Sequence, residues 1–225
     1  MQDLHRKSVI AIARTLVILA AALFVPVWTL RWWQAWACLA AFFVPACLIT
    51  SWVAMHDPAL LERRLKAGPK GEKEKGQKIV QAIASLVFLA DFVIPAFDHR
   101  YGWSRVPAYA SIAGDLMMLV GFWITFAVFR VNSFTSGIIE VAEGQRVVST
   151  GPYAIVRHPL YSGALVMLFG IPLALGSWWG LLVNVPLTAA IVWRLLDEEK
   201  FLLARLSGYG EYRQTVKYRL APLVW

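Results

Sequence analysis

PLYSGALVMLFGIPLALGSWWGLLVNVPLTAAIVW, residues 159–193, runs for 35 residues without Asp, Glu, Lys or Arg. A membrane helix needs about 20 apolar residues, so this stretch is too long for one crossing and slightly short for two. Its middle, Gly176-Ser177-Trp178-Trp179-Gly180, offers turn-forming residues and indoles suited to a membrane–water boundary. We read it as two short helices joined by a tight turn.

Working outward, residues 15–30 and 32–55 are also free of charge. Residues 79–97 are interrupted only by Asp91, and 106–129 only by Asp115. The reading is an all-α membrane protein of about six transmembrane helices, the fifth and sixth forming a short hairpin. Composition agrees. The 225 residues are 59% hydrophobic and 16% charged, with mean hydropathy +0.57, whereas soluble domains carry about 25% charged residues. Such values also exclude intrinsic disorder, which needs low hydrophobicity and high charge.

Charge then orients the chain. Of the 22 Lys and Arg, only Arg31, Arg100 and Arg105 fall on one side of the six spans. The rest fall on the side holding both termini, so both termini are expected in the cytosol. The membrane would be the plasma or inner membrane of a bacterium, or the endoplasmic reticulum of a eukaryote. The net charge of +8 is thus a topology signal, and nucleic acid is not needed to explain it. Residues 1–130 form a region of four spans, with a cytosolic connector at 56–78 that reads as solvated apart from a short amphipathic helix at 60–65. Residues 131–225 form a second region of loop, last two spans and tail. A polar loop this long, with Thr, Val and Ile in its composition, points to function.

Much familiar chemistry is missing. The histidines, His5, His56, His99 and His158, show no metal-ligand spacing, so no metal is expected. There is no phosphate-binding glycine loop after a strand. Cys38 and Cys47 both lie in the second span and read as buried core thiols. Asp91 and Asp115 could suit a proton path, which keeps a non-catalytic transporter or scaffold as a rival. A structural pair, or protonated acids satisfied by a hydrogen bond, is the reading we favour. No inverted repeat supports the transporter.

One geometric consequence follows from the hairpin. The start of the fifth span and the end of the sixth share a face of the membrane, so Arg157-His158-Pro159 neighbours Arg194 and Asp197-Glu198-Glu199. Arg194 and Glu198, at i and i+4, share one helix face. Tyr153 and Tyr161 flank them. Ionisable groups gathered at a membrane boundary are a functional hypothesis by default.

The stretch 144–163, GQRVVSTGPYAIVRHPLYSG, resembles a family signature, as does Arg194-x3-Glu198-Glu199 followed by a Gly/Tyr-rich tail at 208–212. The resemblance is to the integral-membrane methyltransferases typified by isoprenylcysteine carboxyl methyltransferase, with the phospholipid methyltransferases as relatives. It covers roughly residues 129–225. It implies a cytosol-facing pocket for S-adenosylmethionine. Gln145, Arg146, Val147 and Val148 would line the cofactor, chiefly through backbone groups, and Tyr153, His158 and Tyr161 would contact it. Pro159 and Leu160 would shape the wall, Glu198 would face the amino-acid portion, and Glu140 would add a polar contact. Arg194 would face the carboxylate of a substrate.

Elementary chemistry supports these roles. A sulfonium and an ammonium call for a carboxylate at a low-dielectric boundary, and phenol rings can hold cations on their faces. An acceptor carboxylate is already ionised at neutral pH. It needs a guanidinium to place it, from Arg194 or Arg157, and no general base. The leading expectation is therefore O-methylation of a prenylcysteine-like lipidic acceptor that enters sideways from the bilayer. N- or S-methylation of a phospholipid headgroup, an amine or a thiol is the alternative, with His158 the imidazole nearest the pocket.

Overall fold

The computed structural model describes residues 2–65 and 75–225; the Gly/Lys-rich centre of the connector, 66–74, lies outside them. Among the described residues the chain is helical, with no strand. The helices are α1 (Gln2–Val27), α2 (Trp33–His56), α3 (Pro58–Leu65), α4 (Lys75–Tyr101), α5 (Ala108–Val131), α6 (Pro159–Ala174), α7 (Gly180–Arg205) and α8 (Tyr209–Thr215). Five of these, α1, α2, α4, α5 and α7, are long and apolar enough to cross a membrane, and α6 is a shorter apolar helix of 16 residues. The short helix expected at 60–65 is α3, whose Leu60 and Leu61 pack on Val53 and Ala54 of α2.

The hairpin is present but unequal. α6 ends at Ala174, Gly176 takes φ +77°, and the Ser177 hydroxyl caps α7 by accepting from the Gly180 amide at 2.9 Å. α7 then runs 26 residues, past its last apolar turn to Arg205. It is therefore not a short helix. Its final turns carry charged side chains beyond the apolar run.

α6 packs most closely on α5, through glycine. A Cβ on Gly121 would lie 2.5 Å from the Gly163 carbonyl oxygen, and one on Gly170 would lie 2.6 Å from the Gly114 carbonyl oxygen. In lipid no hydrophobic force drives helices together, so close backbone approach through small residues supplies the packing. Leu19, Leu23, Trp32, Phe92, Met118, Ile171 and Leu187 fill the interior, while Val17, Leu48, Leu86 and Val185 point outward, as a lipid solvent permits.

The end of the bundle away from both termini carries exposed Trp28, Trp33, Trp103, Trp178 and Trp179, an aromatic belt at one boundary. Buried Asp98, which the sequence did not single out, fastens that end. It accepts from the Ser104 amide and hydroxyl, both at 2.6 Å, and from the Ser177 hydroxyl. Asp91 is fully buried without a hydrogen-bond partner among the described residues, and so is Oδ1 of Asp115. The hydrogen-bonded structural pair is not formed. Cys38 is buried as expected, but Cys47 is exposed on the outside of α2.

The glycine contacts make a direct prediction. Gly121→Val should overpack the α5–α6 contact and lower the unfolding temperature in detergent by roughly 3–10 °C, from a cost of about 1–3 kcal/mol. Gly210→Ala, where a Cβ meets nothing within 4 Å, should leave that temperature unchanged. Equal effects would contradict glycine-mediated packing.

Candidate active site

At the end of the bundle where α7 leaves the apolar layer, a cavity of about 650 Å³ opens. That is within the range of roughly 300–1,000 Å³ for small-molecule sites. Its wall has two characters. One part is polar, made by α3, the 132–148 loop and the ends of α6 and α7; the other is apolar, made by Phe88, Phe122, Met167, Leu168, Leu187 and Ile191 from four helices.

The polar part is held by one buried carboxylate. Glu199, 4% exposed, accepts from Arg157 Nε at 2.7 Å, from Arg219 Nε at 3.0 Å, and lies 3.3 Å from His158 Nε2. Arg157 also donates through Nη1 to the carbonyls of Val216 and Lys217, each at 2.8 Å. The backbone adds to this: the amides of Arg157 and His158 donate to Tyr218 and Arg219, both at 2.9 Å. The Ser162 hydroxyl donates to Leu220 at 2.6 Å. The tail after α8 is thus laid across the start of α6.

Pro159 occupies the first position of α6, where its missing N–H costs nothing. It is buried there and does not line the cavity, unlike Leu160 beside it. The other residues that sequence reasoning gathered do line it: Glu140, Gln145, Arg146, Val147, Val148, Tyr153, Arg157, His158, Leu160, Tyr161, Arg194 and Glu198. Arg157 lines the cavity while its Nε and Nη1 are engaged by Glu199 and the tail, so it also positions structure.

Glu198, one residue before the buried Glu199, turns to the cavity and accepts from the Tyr161 hydroxyl at 2.6 Å. Arg194 donates through Nη1 to Gln77 Oε1 and through Nη2 to the Gly137 carbonyl, each at 3.1 Å. Gln77 in turn donates to Asp197 at 2.8 Å. The start of α4 therefore braces the end of α7. The loop is shaped by Gly144 at φ +70°, with the Gln145 side chain accepting from the Ala142 amide at 2.8 Å. Val147 packs against Leu206, Tyr209, Tyr212 and Val216.

Three phenols outside the spans face this region. Asn132 donates to the Tyr153 hydroxyl at 2.9 Å, and Tyr212 donates to the Tyr153 carbonyl at 2.8 Å. Burial raises the pKa of all three, Tyr212 to about 12 and Tyr153 and Tyr209 further. They stay protonated at neutral pH, so each hydroxyl keeps a proton to donate. Tyr209, 3% exposed, lines the cavity with a hydroxyl that has no partner among the described residues. An orphaned donor, the Glu198 carboxylate and phenol rings together fit a small molecule that carries both cationic and acceptor groups, as S-adenosylmethionine does. Sequence reasoning assigned no role to Arg64, Gln77, Asn132, Tyr209 or Glu199. Glu199 had a local signal in its place beside Glu198, and Tyr209 in the Gly/Tyr-rich tail at 208–212.

The family model for phospholipid methyltransferase matches residues 109–210. Protein-S-isoprenylcysteine O-methyltransferase B of Arabidopsis thaliana is 28% identical over 150 residues, which cover 63% of this chain and 72% of that protein. The matched region contains the loop, α6, α7 and the start of α8, and so most of the polar wall.

The Glu199 arrangement predicts a tail phenotype. Glu199→Ala leaves the buried Arg157 without its carboxylate, a loss of about 3–5 kcal/mol for a broken buried pair. Limited proteolysis should then cut the tail after residue 215 much faster. Lys200→Ala, which removes an exposed pair with Asp197, should change nothing measurable. A protease-resistant tail in Glu199→Ala would contradict the arrangement.

Proposed function

We propose that this chain, whose residues 109–210 match the phospholipid methyltransferase family model, is a membrane methyltransferase that uses S-adenosylmethionine to O-methylate the carboxylate of a prenylcysteine-like lipid. The observation that carries this reading is one cavity with Arg194 and Glu198 on a single face of α7 and an apolar floor running between helices. The cationic cofactor and the anionic acceptor ask for opposite charges, and the two side chains supply them four residues apart.

S-adenosylmethionine, when bound, supplies an electrophilic methyl group. Glu198 is the counter-charge for the cofactor's ammonium, with Tyr161 fixing the carboxylate by its hydrogen bond. Gln145, Arg146, Val147 and Val148 offer backbone groups along one side. Tyr153 and Tyr209 offer ring faces and hydroxyl donors, His158 and Leu160 complete the wall, and Glu140 is tied to Ser136 at 3.0 Å nearby. Arg194, braced by Gln77 and Gly137, orients the acceptor carboxylate. The acceptor carboxylate would take the methyl group as its bond to the sulfonium sulfur breaks, leaving a neutral thioether, and no proton need be removed, so positioning by Arg194 does most of the work. The Lys and Arg bias puts the site on the cytosolic side, with the acceptor arriving from the bilayer along the apolar floor.

A second reading has the family description in its favour: N-methylation of a phospholipid headgroup amine. An amine must lose a proton, and His158 is the cavity's imidazole. Its contact with Glu199 leaves that imidazole committed to the tail network, which favours the carboxylate reading.

Calorimetry in detergent separates the roles. The wild type should bind S-adenosylhomocysteine; Glu198→Gln should weaken that binding tenfold or more, and Arg194→Ala should leave it within about twofold while raising the KM for a prenylcysteine acceptor. Absence of binding to the wild type would contradict the cofactor assignment, and identical behaviour of the two variants would contradict the division of roles. Above about pH 5 the rate should change little for a carboxylate acceptor and rise through a titration for an amine.

A further inference from the structure

The apolar part of the cavity has a closed deep end. Its deepest lining residues are Phe88 of α4, Phe122 of α5, Leu168 of α6 and Leu187 of α7. One turn further from the polar wall stand Phe92, Met118, Ile171 and Asn184, and all four are buried. The depth can be read along the helices. Gln81 and Arg194 both donate to the Gly137 carbonyl, at 3.2 and 3.1 Å, and Tyr161 donates to Glu198 one turn past Arg194. From Gln81 to Phe88, from Tyr161 to Leu168 and from Arg194 back to Leu187 is seven residues in each case, a rise of about 10 Å. Three helices thus place the floor at one distance below the polar residues.

That floor is fixed by one hydrogen bond and by aromatic packing. Pro172 has no N–H, so it leaves the Leu168 carbonyl without its helical donor. Asn184 Nδ2 donates to that carbonyl instead, at 3.0 Å, and ties α7 to α6 beside the last lining residues. The Phe88 ring meets Phe92 edge-on at 5.3 Å. Phe42 of α2 meets Phe122 edge-on at 5.4 Å and lies 6.4 Å from Phe88, so one ring of α2 bridges α4 and α5 at the floor. Close-packed side chains of this kind leave few voids for a chain to enter.

We propose that this floor is a chain-length stop, with Phe88 and Leu187 its principal residues, so that the enzyme measures the prenyl chain of its acceptor from the carboxylate held at Arg194. This rests on the function proposed above and adds specificity-determining residues to it. A depth of about 10 Å holds roughly two isoprene units, each contributing four C–C bonds of about 1.5 Å in a zigzag. A longer chain must fold back on itself inside the cavity. On an open apolar surface, by contrast, every added unit strengthens binding in proportion to the area it buries.

Binding in detergent to N-acetylcysteines that carry geranyl, farnesyl or geranylgeranyl on sulfur tests the stop, with S-adenosylhomocysteine reporting an intact site. The wild type should bind the geranylgeranyl compound no more tightly than the geranyl one. Phe88→Ala and Leu187→Ala, which deepen the cavity, should each shift that ratio toward geranylgeranyl by roughly fivefold or more. Ala84→Leu, one turn above Phe88 on the lined face of α4, fills space instead of emptying it and should weaken farnesyl relative to geranyl. All three variants should hold S-adenosylhomocysteine within about twofold. A wild-type affinity that climbs at every step of the ladder overturns the stop alone. So does a length preference unmoved in variants that still bind S-adenosylhomocysteine. A wild type that binds S-adenosylhomocysteine but none of the prenyl compounds overturns both the stop and the acceptor reading beneath it.

Discussion

A carboxylate buried at the edge of a membrane is costly unless its oxygens are filled, and Glu199 fills both of its own. One oxygen takes Arg157 and faces His158; the other takes Arg219. These partners come from two places, the turn before α6 and the tail, while Glu199 itself stands near the end of α7. Satisfying one ion therefore fixes three segments at once, and the cavity is the space they enclose with α3 and the loop. Glu198 can face the cavity because its neighbour faces the tail. Adjacent positions on a helix point about 100° apart, so two consecutive glutamates serve two different structures.

Depth depends on α6. Sixteen residues span about 24 Å, less than the hydrocarbon thickness of about 30 Å. If its far end sits at the aromatic belt, its start lies several ångströms inside the opposite boundary. The tail then descends to meet it, and Arg157 finds carbonyl partners at a depth where water is scarce. The glycines at 114, 121, 163 and 170 let this short helix sit hard against α5. Below the polar wall the cavity floor is then apolar by default, because it is made of the lipid-depth portions of α4, α5, α6 and α7. A cavity with a polar wall over an apolar floor, as the proposed cofactor and acceptor would need, follows from one short helix in a longer bundle.

The legible part of this was whatever leaves a local trace. Charge-free runs marked the apolar helices, and Gly176-Ser177-Trp178-Trp179-Gly180 marked the turn. The motif around Arg157 and the i, i+4 pair of Arg194 and Glu198 marked the wall of the cavity. The hidden part was long-range. Nothing near Arg64 announces that α3 folds back beneath the loop to Ser136. Nothing at Gln77 announces a brace to Arg194, 117 residues on. The arginine motif named Arg157 as a substrate ligand because type and position fit. Its engagement by Glu199 and two tail carbonyls depends on a tail conformation that no periodicity encodes. Asp98 was passed over because nothing local announces that it accepts from Ser177, 79 residues on.

The central claim is that this cavity joins a cationic methyl donor to an anionic lipid. Labelled S-adenosylmethionine, offered to the detergent-solubilised protein with a farnesylcysteine, a phosphatidylethanolamine and a simple thiol in parallel, tests it most directly. The account predicts label in the farnesylcysteine as a base-labile methyl ester, and none above background in the other two. Label in phosphatidylethanolamine with none in the farnesylcysteine would contradict it.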